Sequence, residues 1–340
     1  QVDCKVSANV NLKFDKEKAS NMIGFIEGND PVLKDEYIIV GAHFDHLGLG
    51  GRGSGSLDPD TLIIHNGADD NASGTAGILE LSHKLMSNRH LLKRSVLAVC
   101  FDAEEKGLLG SKYYSENPVR DISNTALMIN MDMIGRLNNN PVTLGGVGSS
   151  GIFENIIADA RKNHTLDIET NMGGMNFARS DHVSFYRENI PVLFFFTGAH
   201  EDYHKPTDDW NKIDYQGEKE VLDFIYELII DVSQLEEKPA FAEIETNAAN
   251  DQNPVFKVTF GVIPAYGSQK VGLEIDGVSK KDGPAAKAGM KKGDVITAID
   301  GKDVRNIYDY MARLADLKPG QKVKVTINRG EDNIELILEL

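Results

Sequence analysis

The sequence predicts an α/β protein with a mostly parallel central sheet flanked by helices, followed by a small β-rich domain. Four apolar runs of strand length alternate with amphipathic helical segments between residues 37 and 235. This alternation favours a parallel sheet that is covered by helices on both faces. A polar stretch at 237–254 then precedes a second series of short strand-like runs. We therefore predict a first domain at 1–236, a linker at 237–254 and a β-rich domain at 255–340.

The strands of the first domain are predicted from runs of Ile, Val, Leu and Phe, because strands buried on both faces lack polar alternation. The helices are predicted from apolar residues at helical spacing, such as Ile78, Leu81 and Leu85. These criteria give strands at 37–45, 95–101, 126–132, 142–144 and 191–196, and helices at 75–88, 108–114, 152–162 and 217–235. Alternating apolar residues at 6–12 indicate one more strand before them.

The same criteria applied to the second domain predict short strands and one clear helix. The strands lie at 255–262, 272–275, 295–299, 322–328 and 334–338, and the helix at 304–317. About ninety residues suffice for a small domain of this kind.

Composition excludes several classes of function. With 36 Lys and Arg against 52 Asp and Glu, the formal net charge is −16, which disfavours nucleic-acid binding and suits cationic ligands or metal ions. No apolar run is long enough to span a membrane. The two cysteines, Cys4 and Cys100, form neither a disulfide framework nor a zinc knuckle, and Cys100 ends an apolar run as a buried thiol would.

Acidic and histidine side chains follow four of the predicted strands. In chain order they are His43 and Asp45, Glu104 and Glu105, Asp132, and His204. The carboxyl ends of parallel strands line one crevice, so these side chains are expected to converge there. A further acidic pair, Asp69 and Asp70, lies among small residues directly before a helix. The alternative role for this pair is to cap that helix.

Imidazoles and carboxylates without thiolates suit zinc, whereas magnesium or calcium would use oxygen ligands alone. A single tetrahedral zinc with an open position cannot use all the candidate ligands, which are His43, Asp69, Glu105, Asp132 and His204. If one carboxylate is shared, two metals each receive three protein ligands, as in two-metal hydrolases. One member of the adjacent pair Glu104 and Glu105 can then bind metal while the other deprotonates water.

The sequence resembles the co-catalytic di-zinc aminopeptidases related to bacterial leucyl aminopeptidase. The matching segments are GAHFDH at 41–46, GADDNASG at 67–74, EEKGLLGS at 104–111, NMDMIG at 130–135, RSDH at 179–182 and YHKPTD at 203–208. Together they span most of residues 30–235 in the expected order. The resemblance implies the zinc exopeptidase fold, two co-catalytic zinc ions and removal of N-terminal residues from peptide substrates.

The resemblance also implies individual roles. Asp69 would bridge the two zinc ions, with His43 and Asp132 on one and Glu105 and His204 on the other. Glu104 would be the general base, and Asp45 would orient His43. We also expect a cis peptide bond between Asp69 and Asp70, which would turn the Asp70 side chain away from the metals.

Two further residues are implied near the substrate, Arg179 and Tyr203, although an ion pair and loop packing are the alternative roles for them. The seven histidines outside the ligand set are expected at the surface or in support of the ligands, with His182 the foremost exception. They are His46, His65, His83, His90, His164, His182 and His200.

The C-terminal domain is similar to HtrA-type bacterial PDZ domains. The similarity rests on GPAAKAGMKKGDVI at 283–296 and IDGK at 299–302. It implies binding of an extended C-terminal peptide by strand addition, with backbone amides holding the peptide carboxylate. By position, the carboxylate loop comprises Phe260, Gly261 and Val262. A purely structural role for this domain is the alternative.

Other functions on the same scaffold are carboxypeptidase or glutaminyl cyclase chemistry, or peptide binding without catalysis. A cyclase would need only one zinc. A carboxypeptidase would need cations for the substrate carboxylate, and only Arg52, Arg136 and Arg179 lie near the relevant loops. A non-catalytic receptor would lack ligands that this sequence retains. The resemblance also leads us to expect an extracytoplasmic protein, periplasmic or secreted, whose signal peptide is absent from this sequence.

Overall fold

The computed structural model describes residues 18–244 and 258–340, apart from gaps at 52, 59, 61, 139, 172–179, 265–269, 279–282, 306–308, 311–312, 315–316 and 331. The strand predicted at 6–12 lies outside the described residues. Within the described ranges, no helix has both the length and the apolar character needed to cross a membrane.

A seven-stranded sheet forms the centre of the first domain. Its strands are β1 (Met22–Ile26), β2 (Tyr37–His43), β3 (Ser95–Phe101), β4 (Thr125–Met131), β5 (Val142–Gly145), β6 (Ile168–Asn171) and β7 (Val192–Phe196). The spatial order is β1-β3-β2-β4-β7-β5-β6. β2 pairs in parallel with β3 and β4, β4 with β7, and β5 with β6. Only β1 with β3 and β5 with β7 are antiparallel, so the prediction of a mostly parallel sheet is confirmed.

Helices cover both faces of this sheet. They are α1 (Gly74–Ser87), α2 (Leu109–Glu116), α3 (Phe153–Ala160), α4 (His182–Tyr186) and α5 (Tyr215–Gln234). Ile38 and Val40 of β2 pack into a core with α1, α3 and α5, whereas Tyr37 and Ile39 pack on the opposite face with α2 and α4. Both faces are therefore buried, which explains why the strands are continuous apolar runs.

An antiparallel sheet forms the second domain. Its strands are β8 (Val262–Pro264), β9 (Leu273–Val278), β10 (Val295–Ile299), β11 (Lys302–Asp303), β12 (Lys322–Arg329) and β13 (Asp332–Glu339), with the helix α6 (Pro284–Lys287). The order is β13-β12-β10-β9-β8, and β11 pairs with β10. Of the predicted strand at 255–262 only Val262 is in a strand, and 255–257 lie outside the described residues. Residues 309, 310, 313 and 314 of the predicted helix are helical, and several of its other positions are not described.

The start of the predicted linker packs against the first domain. The backbone N–H of Ala242 donates to the carbonyl of Ser149 at 2.8 Å. The N–H of Ile244 donates to the Tyr186 hydroxyl at 2.7 Å, and the rings of Phe241 and Tyr186 lie 5.2 Å apart. The described residues up to 244 therefore follow the surface of the first domain.

The strand order determines where the polar side chains meet. β3, β2, β4 and β7 are consecutive neighbours in the sheet. His43 is the last residue of β2, and the other strand-end acids and His204 follow β3, β4 and β7. Their carboxyl ends therefore open into one crevice, as expected for this type of sheet.

Candidate metal centre

Asp70 occupies the centre of the crevice, between two histidines. Its Oδ1 atom lies 3.3 Å from Nε2 of His43, and its Oδ2 atom lies 3.3 Å from Nε2 of His204. Oδ1 of Asp132 lies 3.5 Å from the same His43 nitrogen, and Oε2 of Glu105 lies 3.3 Å from the same His204 nitrogen. The side chains thus form two triads of donors that share the Asp70 carboxylate.

The spacing within each triad fits a zinc ion. Zinc bonds to imidazole nitrogen or carboxylate oxygen measure roughly 2.0–2.1 Å, so two ligands at tetrahedral positions stand about 3.3–3.4 Å apart. Direct hydrogen bonds between such atoms are usually shorter, at about 2.7–3.2 Å. The observed separations of 3.3 to 3.5 Å therefore match ligands around a common ion better than ligands bonded to each other.

Asp69 does not occupy the shared position, so that prediction is corrected. Its Oδ1 atom accepts a hydrogen bond from the N–H of Gly135 at 2.7 Å, and its Oδ2 atom lies 3.1 Å from Nε2 of His200. Both oxygens therefore face away from the two triads. The cis peptide bond also lies one residue later than predicted, between Asp70 and Asn71. The side chains of Asp69 and Asp70 point to opposite sides of the turn. Asp70 therefore has the shared position that was predicted for Asp69, and Asp69 has the outward orientation that was predicted for Asp70.

The turn that carries Asp70 is held by polar contacts from Asn71. The Oδ1 atom of Asn71 accepts hydrogen bonds from the N–H groups of Gly74 and Met133, and its side-chain amide donates to the carbonyl of Met131. Asn71 is buried. It thereby joins the start of α1 to the segment that carries Asp132, which fixes the turn relative to that carboxylate.

Each histidine of the triads has a partner on its other nitrogen. Nδ1 of His43 lies 3.1 Å from the carbonyl oxygen of Asp45, and Nδ1 of His204 lies 3.0 Å from that of Gly55. Such contacts fix the tautomer and direct Nε2 towards the carboxylates of its triad, where a metal would bind. The Asp45 carboxylate lies 3.7 Å from His43 and accepts hydrogen bonds from the N–H groups of Glu104 and Glu105 at 2.9 and 3.2 Å. Asp45 therefore orients the glutamate pair as well as His43.

Glu104 and Glu105 have different surroundings. The Oε1 atom of Glu105 lies 2.9 Å from Nδ1 of His46, and Oε2 faces His204. Burial alone would raise the pKa of Glu105, but hydrogen bonds from His204 and His46 lower it below its usual value. Burial raises the pKa of Glu104 well above its usual value, although the nearby His43 opposes the shift. A carboxylate with a raised pKa is suited to accept and return a proton near neutral pH.

The charges of the crevice also shift the histidines. Burial disfavours protonation of His43, yet Glu104 and Asp132 outweigh it and hold the pKa well above its usual value. For His204 burial acts in the same sense, but Asp70 and Glu105 raise the pKa to about 10. Four carboxylates thus create a site where positive charge is strongly favoured, as a metal-binding site requires.

His46 and Asp181 are two residues near the site whose roles the sequence did not specify. His46 was expected at the surface or in support of the ligands, but its Nδ1 atom lies 2.9 Å from Glu105 and 3.9 Å from Asp70, so it is a further candidate ligand beside the second triad. Asp181 is fully buried, and neither carboxylate oxygen has a hydrogen-bond partner among the described residues. Burial raises the pKa of Asp181 to about 7. Its position directly before His182 in the RSDH segment was the only sequence signal.

We expect Asp181→Asn to stabilise the metal-free protein at alkaline pH. Because the folded pKa of about 7 exceeds the unfolded value of about 3.9, the charged carboxyl destabilises the fold as pH rises through this window. The variant lacks that charge, so its free energy of unfolding should exceed the wild-type value by a few kcal/mol at pH about 8 and by much less at pH about 4. Thermal unfolding at both pH values measures the difference. A variant less stable than wild type at the higher pH would contradict the assignment.

The remaining predicted residues have mixed positions. Arg179 lies outside the described residues. The ring of Tyr203 stacks on that of His204, with centroids 3.9 Å apart, so Tyr203 is next to the site. In the second domain, Phe260 is buried against Tyr310, and Gly261 has a φ of 73° directly before Val262 begins β8.

Comparison with known proteins gives two family matches. Residues 21–229 match Peptidase family M28, and residues 265–340 match the PDZ domain. The chain is 28% identical over 217 residues to leucine aminopeptidase 1 of Ajellomyces capsulatus (strain NAm1 / WU24), covering 58% of this chain and 54% of the relative. The chain therefore spans about half the length of this curated relative.

Two solved structures share the fold of the first domain. One is BSAP, a zinc aminopeptidase from Bacillus subtilis, with a TM-score of 0.51 and 23% identity over 66% of this chain and 53% of that chain. The other is a glutaminyl cyclase from Bacteroides thetaiotaomicron bound to N-acetylhistamine, with a TM-score of 0.51 and 22% identity over 63% of this chain and 78% of that chain. The M28 match covers more than half of the sequence. The chain belongs to peptidase family M28, and a PDZ domain follows its peptidase domain.

Proposed function

We propose that this protein is a zinc-dependent aminopeptidase that removes N-terminal residues from peptides and uses two zinc ions. The observation that carries the proposal is the pair of donor triads sharing Asp70, each with separations of 3.3 to 3.5 Å. His43, Asp132 and Asp70 would hold one ion, and His204, Glu105 and Asp70 the other. The M28 match and the similarity to a leucine aminopeptidase support a peptidase reaction.

The side chains of the crevice divide the work of peptide hydrolysis. Bound zinc would supply a Lewis acid for the substrate carbonyl and lower the pKa of an attacking water. The Glu104 carboxylate would accept a proton from that water as its oxygen bonds to the carbonyl carbon. Glu104 would then return the proton to the leaving amine as the C–N bond breaks, so that it ends the cycle ionised.

The contacts of Arg136 argue against a carboxypeptidase. Arg136 is a candidate cation for binding a substrate carboxylate, but it already pairs with carboxylates of this chain. The buried guanidinium of Arg136 pairs with Asp208 at 2.9 Å and lies 3.4 Å from Asp202. Arg52 and Arg179 lie outside the described residues. The acidic crevice instead suits the ammonium group at a peptide N-terminus.

A glutaminyl cyclase is the second candidate, because a cyclase shares this fold. The resemblance implies one zinc for a cyclase, whereas the side chains here supply two complete triads. Zinc stoichiometry therefore separates the two reactions.

The test combines metal analysis with a substrate panel. We expect two zinc equivalents per chain in fully active protein, and hydrolysis of chromogenic aminoacyl substrates that have a free N-terminus. N-acetylated versions of the same substrates should be inert. Full activity with one zinc equivalent, or cleavage of N-blocked peptides from the C-terminal end, would contradict the proposal.

We also propose that the PDZ domain binds the free C-terminus of a peptide. β8 ends the strand order of the described sheet and has a paired neighbour only in β9, so a peptide strand can add to its other edge. Gly261 places the preceding loop in a conformation that favours glycine. A fluorescent peptide with a free apolar C-terminus should bind, and its amidated counterpart should bind at least about tenfold more weakly. Equal binding of both peptides would argue against a carboxylate-binding loop.

A further inference from the structure

We propose that Asp208 is a positioning residue that holds the shared ligand Asp70 in register with both donor triads. The inference rests on the proposed two-zinc function and extends it to a residue outside the ligand set. Asp208 is fully buried and lies four positions after His204.

The turn before α1 is bound to Asp208 through three successive backbone amides. The Oδ2 atom of Asp208 accepts hydrogen bonds from the N–H groups of Asp69 at 2.8 Å and Asp70 at 3.1 Å. The backbone carbonyl of Asp208 accepts a third from the N–H of Ala68 at 3.1 Å. A carboxylate that receives two amide donors forms charge-assisted bonds, which are stronger than neutral ones. The backbone of Asp70 is therefore attached directly to Asp208.

The second oxygen of Asp208 is bound from another loop. Its Oδ1 atom lies 2.9 Å from the Arg136 guanidinium, so both oxygens of this buried carboxylate are paired. A buried charge is tolerated only when it is fully compensated in this way. Asp202 lies 3.4 Å from the same guanidinium and accepts a hydrogen bond from Lys212 at 2.6 Å. Asp202 and Asp208 therefore both contact the Nη2 atom of Arg136.

These contacts connect the turn to the two loops that carry ligands. Asp208 shares a loop with His204 of one triad, and Arg136 shares a loop with Asp132 of the other. The neighbour of Arg136, Gly135, donates its N–H to the Asp69 carboxylate at 2.7 Å. The peptide between Asp69 and Asp70 is therefore held between both ligand-bearing loops. Displacing Asp208 would move the Asp70 carboxylate relative to both triads at once.

This geometry distinguishes Asp208 from a ligand and from a purely structural residue. Loss of a ligand that belongs to one triad, such as Asp132, should weaken one zinc position far more than the other. Loss of a purely structural contact should lower the stability of the metal-free protein and leave the affinity of the folded protein for zinc unchanged. Loss of Asp208 should weaken both zinc positions together.

The test is Asp208→Asn, which keeps the side-chain volume but removes the charge and one of the two acceptors. Metal-free protein is titrated with zinc against a chromogenic chelator, and thermal unfolding is recorded in parallel. We expect the affinity of both positions to fall about 10–100-fold, the usual effect of losing a partner that orients a ligand. The matched control is Asp209→Asn, because Asp209 contacts Asn66 at the surface at 2.6 Å and should bind zinc as wild type does.

The outcomes separate this inference from the proposed function. If wild type binds fewer than two zinc ions, the two-zinc function and this inference both fail. If wild type binds two and Asp208→Asn binds them with unchanged affinity, or loses only one, the inference alone fails. Should Asp208→Asn not fold, Asp208→Glu keeps the charge but displaces it. Parallel weakening of both positions in that variant supports the inference, and unchanged binding overturns it.

Discussion

Replacing Asp70 with alanine is expected to release both zinc ions and abolish detectable activity. The two Asp70 oxygens face His43 and His204 at 3.3 Å each, so Asp70 is the described side chain that the two triads share. Mutation of a residue that merely orients a ligand costs about 10–100-fold in metal affinity, and removal of a shared ligand should exceed this at each position. Metal analysis after gel filtration measures the effect.

Asp69→Ala is the matched comparison, because it removes the neighbouring carboxylate from the same turn. It should retain more zinc than Asp70→Ala, since Asp69 contacts Gly135 and His200 rather than the triad nitrogens. Greater zinc loss in the Asp69 variant would restore the assignment made from the sequence and contradict the structure.

Glu104→Gln is expected to keep its zinc and lose turnover by at least about 10²-fold, the usual contribution of a general base. Among the described residues, the Glu104 carboxylate makes no hydrogen bond, whereas Glu105 contacts both His46 and His204. A glutamine at position 104 has similar shape but cannot accept the proton. Steady-state kinetics and metal analysis on the same sample separate chemistry from binding.

Glu105→Gln is the control for this prediction, because it makes the same carboxylate-to-amide change at the adjacent residue. It should lose zinc from the position that includes His204. If Glu104→Gln lost zinc while Glu105→Gln kept it and became inactive, the division of roles between the two glutamates would be wrong.

The buried strands could be predicted because their sequences are unambiguous. β3 matches its predicted bounds of 95–101, β4 begins and ends one residue earlier than predicted, and β7 begins one residue later than predicted and ends where predicted. β1 was not predicted, since it is an exposed edge strand without a buried face to mark it. The short helices α4 and α6, of 5 and 4 residues, were also not predicted, because they span too few turns for a helical period to show.

Four of the five residues that the sequence predicted as ligands lie in the two donor triads. The strand ends identified His43, Glu105, Asp132 and His204, because parallel topology alone brings them to one crevice. The sequence could not show whether Asp69 or Asp70 faces the two histidines, since adjacent residues in an irregular turn have no periodicity. The contact of Asp208 with Asp69 could not be predicted from the sequence, because the two residues are 139 positions apart and only the folded chain brings them together.

The measurement that tests the two-zinc account most directly is a crystal structure of the zinc-loaded protein with anomalous data at the zinc edge. The account predicts two anomalous peaks, one bounded by His43 and Asp132 and the other by Glu105 and His204, with one Asp70 oxygen on each. A single peak, or two peaks bridged by Asp69 instead of Asp70, would contradict it.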